Sequence, residues 1–316
     1  MKNRSAVLPV TPALRVLSFI ADALARGAPV VALETSVLSQ GLPVPYNADA
    51  VTRMVSAVEG AGAVGALTAV AAGHATLGLT EAELQRFLAR DGVRKVSARD
   101  LAACMVQGAD GATTVAASLI LAQAGGIEVF ATGGIGGVHR GAPFDESADL
   151  SALSRTPVIC VCAGAKSILD LPATLERLET LGVPVVGYRT DELPGFFTTG
   201  TGLRVPQRAE SAVEIAAIAR AHWDLGQRSA VLVMQPPPAH AALDAALVDD
   251  AVRGAVRDAA AAGITGARLT PFLLRAVLAA TDGRSLKVNL ALLESNAALA
   301  AHIAVACAAL PARKRT

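Results

Sequence analysis

Short apolar runs rich in β-branched residues alternate with Ala-rich stretches along nearly the whole chain. This alternation is typical of an α/β layer structure, in which helices cover a central sheet. The apolar runs predict strands at residues 29–33, 63–71, 127–132, 157–162, 183–188 and 230–234. The Ala-rich stretches predict helices at residues 47–59, 81–90, 114–124, 174–181, 212–225, 244–262, 271–281 and about 286–309.

The sequence predicts one domain that covers residues 1–316. No Pro/Gly/Ser linker, shift in composition or internal repeat divides the chain. Hydrophobic residues make up 53% of it and aromatic residues only 3%, so small side chains must fill much of a large core. The four cysteines are too few for a disulfide framework in a chain of this length, and we expect them to be buried thiols.

The charge pattern favours a small-molecule partner over a nucleic acid polymer. Lys and Arg number 28 against 27 Asp and Glu, and the basic run at residues 313–315 is short. The N-terminus has no apolar run typical of a signal peptide, and no uninterrupted apolar window approaches about 18 residues. We therefore expect a cytoplasmic protein that is not inserted in a membrane.

Polar or Gly-rich clusters follow several of the predicted strands. They lie at residues 34–36, 133–137, 163–166 and 189–192. In open α/β sheets the ligand crevice forms at the carboxyl ends of the strands. We therefore expect these clusters to converge on one site.

Lys166 is the candidate nucleophile of this site. It follows a nearly unbroken apolar strand, and the sequence after it predicts a helix that begins near Ser167. Poor solvation and the positive end of a helix dipole both favour the neutral amine, which attacks carbonyl carbon. The alternative is that Lys166 extends to solvent or pairs with Asp170.

Glu34 is the candidate acid or base. It emerges directly from the strand at residues 29–33, and partial desolvation would suit a carboxyl group for proton transfer near neutral pH. The alternative is a structural carboxylate that accepts backbone hydrogen bonds in a turn. Thr35 and Ser36 beside it are good capping residues.

The segment 111–117 opens a predicted helix with hydroxyl groups and small residues, which favours anion binding at free backbone N–H groups. Arg94 and Lys95 could supply the balancing positive charge, and an ordinary helix cap with solvated surface charges is the alternative. The Gly-rich run 132–141 is not a dinucleotide loop, because His139 stands where G-x-G-x-x-G requires its last glycine. No P-loop motif occurs either.

Three carboxylates and a hydroxyl lie within residues 145–149. Oxygen ligands at this spacing suit Mg²⁺ or Mn²⁺ that retains several waters, particularly beside a phosphate. The alternative is that Ser147 or Asp149 caps the next helix, and the two roles are compatible.

Together these motifs resemble the pseudouridine-5′-phosphate glycosidases, also called pseudouridylate synthases or indigoidine synthase A-like proteins. The likeness covers about residues 29–308 and is densest at residues 129–188. Shorter motifs agree as well: VALETS at 31–36, KVSARDL at 95–101, GATTVAA at 111–117, TDELPGF at 190–196 and TPFLL at 270–274.

The resemblance implies a single-domain α/β/α sandwich with a mixed central sheet, a homotrimer and a divalent cation, usually Mn²⁺. It implies that Lys166 is the nucleophile, Glu34 the proton donor and Asp145 the metal ligand. The substrate contacts that it implies are Lys95, Thr113, Thr114, Val115, Thr132, His139, Ser147, Ala148, Asp149 and Asn289, of which Thr132, His139 and Asn289 are expected near the base.

The implied chemistry explains these residue types. A carbon–carbon glycosidic bond has no leaving oxygen or nitrogen to protonate, so the two carboxylates of ordinary glycosidases do not suffice. If the furanose opens and Lys166 condenses at C1′, the iminium acts as the electron sink while the base leaves, and Glu34 moves the protons. Water then releases ribose 5-phosphate, and the reverse steps make a C-nucleotide.

The sequence departs from the family pattern mainly near the part of the expected site that would contact the base. Gln40 stands where members usually have His, Gly65-Ala66-Leu67 where they have P-A-T, and Gln235 where they have Asn. About two residues are missing between Ala142 and Phe144, and residues 198–201 replace a more basic, Ser-rich segment. Two rivals follow: a C-ribosyl synthase that joins ribose 5-phosphate to an aromatic acceptor, and a non-catalytic sugar-phosphate-binding protein.

Overall fold

The computed structural model describes residues 14–141, 144–264 and 269–310. The shortened segment at residues 142–143 and the basic run at 313–315 lie outside the described residues. The strands are, in chain order, β1 (Arg15–Val16), β2 (Val30–Leu33), β3 (Val64–Ala71), β4 (His74–Leu77), β5 (Arg94–Val96), β6 (Gly111–Thr113), β7 (Val129–Ala131), β8 (Ile159–Cys162), β9 (Val185–Tyr188), β10 (Gln207–Ala209) and β11 (Val231–Met234).

These strands form one mixed sheet, as the family resemblance implied. Its main path runs β1-β4-β3-β2-β7-β8-β11-β9-β10, while β6 pairs with β3 and β5. Neighbours from β3 through β2 to β10 are parallel, whereas β3 pairs antiparallel with β4 and β6. The parallel strands β2, β8 and β11 are wholly buried, which explains their continuous apolar runs.

Helices pack on the sheet in two groups. The helices are α1 (Ser18–Ala25), α2 (Tyr46–Gly60), α3 (Glu81–Ala89), α4 (Leu101–Val106), α5 (Val115–Ala124), α6 (Ala148–Leu153), α7 (Leu171–Thr180), α8 (Ala212–Asp224), α9 (Ala245–Ala261), α10 (Leu269–Ala280) and α11 (Arg284–Ala309). Helix α11 packs with α2 and α8 and contacts β2, β7 and β8, while α5 packs with α6 and contacts β2, β3 and β7. The predicted mixed α/β fold with flanking helices is confirmed.

Helix starts follow local capping chemistry. Thr80 and Glu83 form a reciprocal capping box at the start of α3, and the Asp170 carboxylate caps α7, which carries a proline in its first turn. All six predicted strands and all eight predicted helices are present, with bounds that differ by a few residues.

One local prediction is wrong. The helix predicted near Ser167 begins only at Leu171, so Lys166 does not lie at a helix N-terminus. The residues before the helix predicted at 114–124 form a strand that was not predicted, β6, and α5 begins at Val115. Short strands such as β6 carry too few residues to show a period in the sequence.

Helix α11 is long and apolar enough, by length and composition alone, to cross a membrane. In the folded chain, however, 61% of its most apolar window is buried against other elements. Asn296 within it donates a hydrogen bond of 2.9 Å to the carbonyl oxygen of Thr132. These contacts are those of a core helix in a globular protein.

The four cysteines are free and buried, as expected. They are Cys104, Cys160, Cys162 and Cys307. Burial raises the pKa of the Cys162 and Cys307 thiols to about 12, and it raises that of Cys160 well above its ordinary value. These groups therefore remain thiols at neutral pH and pack as small apolar side chains.

Candidate active site

Three adjacent parallel strands bring the candidate residues to one edge of the sheet. Glu34 directly follows β2, the Gly-rich segment follows β7, and Lys166 lies beyond the end of β8. Backbone pairing continues past β7 and β8, because Ile135 N donates to Gly164 O at 3.1 Å and Lys166 N donates to Ile135 O at 3.1 Å. The expected convergence at the carboxyl ends of these strands is therefore present.

A cavity with two lobes lies at this edge, and both lobes contain Glu34, Ser36, Lys95, Lys166 and Thr270. The polar lobe, of about 190 Å³, is lined in addition by Ser97, Thr114, Val115, His139, Ser147 and Asp149. The apolar lobe, of about 80 Å³, is lined in addition by Val37, Gln40, Gly134, Phe196, Leu274 and Asn289. The lysines and the glutamate thus stand where two differently lined spaces meet.

Glu34 is almost entirely buried, and two hydroxyl groups hold its carboxylate. Ser36 Oγ donates to Glu34 Oε2 at 2.6 Å, and Thr132 Oγ1 donates to Glu34 Oε1. Thr132 is in turn fixed by the bond from Asn296 of α11 to its carbonyl oxygen. Thr132 therefore orients Glu34 and does not itself line either lobe.

The amine of Lys166, which lines both lobes of the cavity, is held by a backbone carbonyl. Its Nζ donates to Gly134 O at 2.9 Å. The alternative pairing with Asp170 is not formed, because the Asp170 carboxylate accepts a hydrogen bond from Ala173 N at the start of α7. The amine has no carboxylate partner among the described residues, so it can also meet a ligand in the cavity.

Gly134 must be glycine in this arrangement. A Cβ atom on it would lie 2.5 Å from the Phe196 ring and 2.9 Å from Gly164 O. Phe196 is buried and has a positive φ of 66°, which few non-glycine residues adopt. Close packing of Phe196 on Gly134 thus fixes the carbonyl that positions Lys166.

Lys95 projects from β5 and lines both lobes. The residue is exposed overall at the edge of the sheet, but the part of its side chain that lines the cavity is shielded from water. This burial is the largest cause of a lowered Lys95 pKa, and the positive charge of Lys166 lowers it further. The carboxylates of Glu34 and Asp149 act in the opposite direction.

Asp149 is also nearly buried, but backbone amides hold it. Ala116 N donates to its Oδ1 at 2.9 Å and Gly136 N donates to its Oδ2 at 2.8 Å. The side chain therefore joins the N-terminus of α5 to the Gly-rich segment. A carboxylate beside a helix N-terminus is favourable, since the helix dipole is positive there.

The segment 111–117, which was predicted to bind an anion, contains residues buried in the core and residues that line the cavity. Thr113 is buried, donates to Thr68 O at 2.6 Å, and its own N–H donates to Thr35 Oγ1 at 3.0 Å. Its hydroxyl is thus occupied within the core and does not reach the cavity. Thr114 and Val115 line the polar lobe, and the hydroxyl of Thr114 has no hydrogen-bond partner in the described part of the chain.

The remaining predicted residues lie around the two lobes. Ser147 and His139 line the polar lobe and Asn289 of α11 lines the apolar lobe, so His139 and Asn289 are not side by side. Ser147 caps α6, as one of the alternatives predicted, with its Oγ accepting from Asp149 N at 3.2 Å. Ala148 is exposed at the first position of α6 and lines neither lobe.

Asp145 lines neither lobe, but its carbonyl oxygen accepts from the backbone N–H of His139, a lining residue of the polar lobe, at 2.9 Å. Within the described residues, no three His, Cys, Asp or Glu side chains come together as metal ligands. The donor set therefore does not form an all-protein cage. It fits a cation held by one carboxylate, retained waters and oxygens of a phosphate ligand.

Several lining residues were not predicted to contact a ligand. Ser36 was interpreted only as a cap, although its place directly after a buried strand was a usable signal. Phe196 and Thr270 reach the cavity from distant parts of the chain, and the motifs that contain them, TDELPGF and TPFLL, were used only as signs of family resemblance. Gln40, one of the departures from the family pattern, lines the apolar lobe, whereas Gly65-Ala66-Leu67 lies within β3.

The fold and the cavity define a mixed α/β protein that presents an amine and a buried carboxylate at the carboxyl ends of parallel strands. Those two groups suit nucleophilic and proton-transfer chemistry on a small molecule. The chain belongs to the indigoidine synthase A-like protein family, whose model matches residues 19–306.

Curated relatives agree with this membership. The chain is 63% identical over 292 residues to a pseudouridine-5′-phosphate glycosidase of Gemmatimonas aurantiaca, covering 92% of this chain and 95% of that protein. It is 50% identical over 286 residues to the protein of the same name from Herpetosiphon aurantiacus, covering 90% and 94%.

Solved structures share the fold. The prealnumycin C-glycosynthase AlnA, in complex with ribulose 5-phosphate, superposes with a TM-score of 0.88 at 38% identity, covering 95% of this chain and 98% of that one. An indigoidine synthase A-like protein from Thermotoga maritima gives a TM-score of 0.84 at 35% identity, covering 92% and 95%.

Proposed function

We propose that this protein is a C-glycosidase that reversibly cleaves pseudouridine 5′-phosphate to uracil and ribose 5-phosphate. The observation that carries the proposal is the meeting of Lys166 and Glu34 in one cavity at the ends of β8 and β2. Relatives at 46% to 63% identity that carry the name of this activity support it.

Lys166 is the proposed nucleophile. Its nitrogen forms a bond to C1′ as the bond from C1′ to the ring oxygen breaks, and that oxygen takes a proton. The nitrogen lone pair then forms the C=N bond of an iminium while the bond from C1′ to the base breaks, and the base carbon takes a proton. Water adds to the iminium and releases ribose 5-phosphate with the free amine.

Glu34 is the proposed proton carrier for these steps. Its carboxyl group is buried, borders both lobes, and is held by two hydroxyl groups that can reorient as the proton moves. A positioned carboxyl group within hydrogen-bond reach of the reacting atoms typically accelerates proton transfer by about a hundredfold to ten-thousandfold.

The two lobes suit the two ends of the substrate. The polar lobe offers hydroxyl groups of Thr114 and Ser147 beside the ammonium of Lys95, which suits a phosphate. The apolar lobe offers the Phe196 ring and the Asn289 amide, which suit a planar base with hydrogen-bonding edges. The scissile bond would then lie between Glu34 and Lys166.

We also propose a divalent cation, a homotrimer and a cytoplasmic location. The cation, manganese by family resemblance, would be held by Asp145 and would neutralise charge on the phosphate. Metal analysis of the purified protein against Asp145→Asn tests the site, and sedimentation equilibrium tests the assembly. Loss of bound manganese in the variant is expected, and equal metal content would exclude Asp145 as the ligand.

Borohydride trapping with ribose 5-phosphate tests the proposed function. Reduction of the iminium should attach the opened sugar to Lys166, and peptide mass spectrometry should locate it there. Lys166→Ala should give no adduct, whereas Lys287→Ala, which removes an exposed lysine of α11, should react as the unchanged protein does. An adduct on another lysine, or equal labelling of Lys166→Ala, would overturn the assignment.

Turnover separates the proposed function from its rivals. Pseudouridine 5′-phosphate should release uracil in the presence of Mn²⁺. An adduct on Lys166 without uracil release would favour a C-ribosyl synthase with a different acceptor. Calorimetric binding of ribose 5-phosphate with neither adduct nor release would favour a non-catalytic binding protein.

A further inference from the structure

A second chamber of about 240 Å³ adjoins the apolar lobe. The two spaces share Gln40, Gly41, Leu274 and Asn289, so the chamber opens beside the proposed base site. We name it the arginine chamber, because Arg90 and Arg275 both line it. None of the proposed catalytic steps uses either arginine.

Arg90 is a partly buried cation that forms no ion pair with the described residues. It ends α3 in the left-handed conformation, with a φ of 65°. Its Nε and Nη2 atoms are shielded from solvent and have no hydrogen-bond partner among the residues that the structure describes. A desolvated guanidinium without a partner is costly, whereas a carboxylate or phosphate can satisfy two of its N–H groups at once.

Two other arginines of the described chain have a carboxylate nearby. Arg86, on the same helix, pairs with Asp110 at 3.0 Å, and Arg220 of α8 lies 3.7 Å from Glu128, although two of its guanidinium nitrogens also have no hydrogen-bond partner among the described residues. Arg90 has no such carboxylate among the described residues, and none of those that line the chamber is Asp or Glu. The second cation, Arg275, adds positive charge from α10.

The rest of the chamber is mainly apolar. Leu42 and Phe197 are buried, Leu278 and Leu286 contribute further aliphatic surface, and Ser285 adds a hydroxyl group. Apolar walls with a cation at one side suit a flat ring that carries a negative charge. Inorganic phosphate alone would leave these walls without contacts.

We propose that the arginine chamber binds a small ring compound with an anionic substituent, of the aromatic carboxylate class, through Arg90. The concave shape of the chamber and its continuity with the apolar lobe favour a small molecule over a second copy of the chain. The inference does not depend on the proposed function, because it uses neither Lys166 nor Glu34.

Isothermal titration calorimetry with benzoate as the probe tests this. Benzoate should bind the unchanged protein, and its uncharged isostere benzamide should bind at least about tenfold more weakly. Arg90→Met keeps the aliphatic volume and should weaken benzoate binding by about tenfold to a hundredfold. Arg26→Met is the matched control, since Arg26 is exposed at the end of α1 and should leave binding unchanged.

Lys95→Met shows which space the probe occupies. If benzoate lies in the arginine chamber, this variant should bind it within about twofold of the unchanged protein, because the sites are separate. A greater loss in Lys95→Met than in Arg90→Met would assign the probe to the polar lobe and overturn the proposal. Equal affinity for benzoate and benzamide, or no heat of binding, would also overturn it.

Two further measurements cover other outcomes. If Arg90→Met does not fold, as judged by circular dichroism, Arg275→Met should still weaken benzoate binding, and unchanged affinity there would contradict the proposal. Sedimentation equilibrium of Arg90→Met tests the rival occupant. Loss of assembly with benzoate affinity unchanged would show that Arg90 serves an interface between copies instead.

Discussion

Two nearly buried carboxylates border the same cavity but are held in different ways. Glu34, after β2, accepts hydrogen bonds from the side-chain hydroxyls of Ser36 and Thr132. Asp149, on α6, accepts them from the backbone amides of Ala116 and Gly136. A hydroxyl can rotate and accept as well as donate, whereas a backbone amide only donates.

The difference separates a carboxyl group that can exchange a proton from one that holds the structure together. If Glu34 is protonated, either hydroxyl can turn and accept its new hydrogen. If Asp149 were replaced by a group with an N–H, that N–H would meet a backbone N–H and both donors would lose a partner. Glu34 is therefore suited to chemistry, and Asp149 to fixing α5 against the Gly-rich segment.

Among changes to these two carboxylates and the groups that hold them, the largest effect on turnover is expected from Glu34→Gln. The amide fits the same space and the hydroxyls of Ser36 and Thr132 can accommodate its N–H, so the fold should persist. Uracil release should fall by about a hundredfold to ten-thousandfold, because the proton carrier is lost. Steady-state kinetics with a melting curve measure both, and near-normal turnover would remove Glu34 from the chemistry.

Asp149→Asn should act mainly on stability. The amide cannot accept from both Ala116 N and Gly136 N, so the free energy of unfolding should fall by about 2 to 4 kcal/mol in a urea titration. Asp170→Asn is the matched control, because asparagine caps a helix as well as aspartate does. If the two variants were equally stable, the structural role of Asp149 would be wrong.

Much of this site follows from the sequence because its strands are buried and parallel. Such strands read as continuous apolar runs, so the polar residues that end them are easy to find, and parallel direction brings those ends to one edge. Glu34 and Lys166 were identified in this way. The single domain remains a prediction, since it was inferred from the lack of a linker.

Other parts depend on contacts that leave no local pattern. The turn between Lys166 and α7 is not helical because Lys166 N and Asp170 N donate to Ile135 O and Val138 O of the Gly-rich segment. Phe196 reaches Gly134 from a loop after β9, and two guanidinium nitrogens of Arg90 have no hydrogen-bond partner among the described residues. These relations join residues far apart in the chain, and neither propensity nor spacing encodes them.

Thr132→Val tests whether the hydroxyl groups that hold Glu34 matter for turnover. It removes one of the two hydroxyls and keeps the shape of the side chain. Turnover should fall by about tenfold, because Glu34 loses one of the bonds that orient it. Thr132→Ser restores the hydroxyl and should recover most of the activity. An equal loss in both variants would mean that packing at this position matters and the hydrogen bond does not.

Both carboxylates influence the pKa of Lys95. The change in this pKa is the smallest effect that we expect. Burial and Lys166 lower its pKa below the ordinary value of 10.5, while Glu34 and, to a lesser degree, Asp149 raise it. Glu34→Gln should therefore lower the Lys95 pKa further than Asp149→Asn does. An NMR titration of the Lys95 side chain measures the two pKa values. A lower Lys95 pKa in Asp149→Asn than in Glu34→Gln would contradict the prediction.

The same lowered pKa has a consequence for stability. Native Lys95 loses its proton at a lower pH than unfolded Lys95, so the unfolded chain binds more protons between the native pKa and 10.5. The free energy of unfolding should thus rise with pH across this window relative to Lys95→Met, which lacks the group. Urea titrations of both proteins across that pH range measure the difference. A difference that fell with rising pH would mean that the folded protein stabilises the charged amine. Attraction to Glu34 and Asp149 would then outweigh the cost of burying the ammonium group.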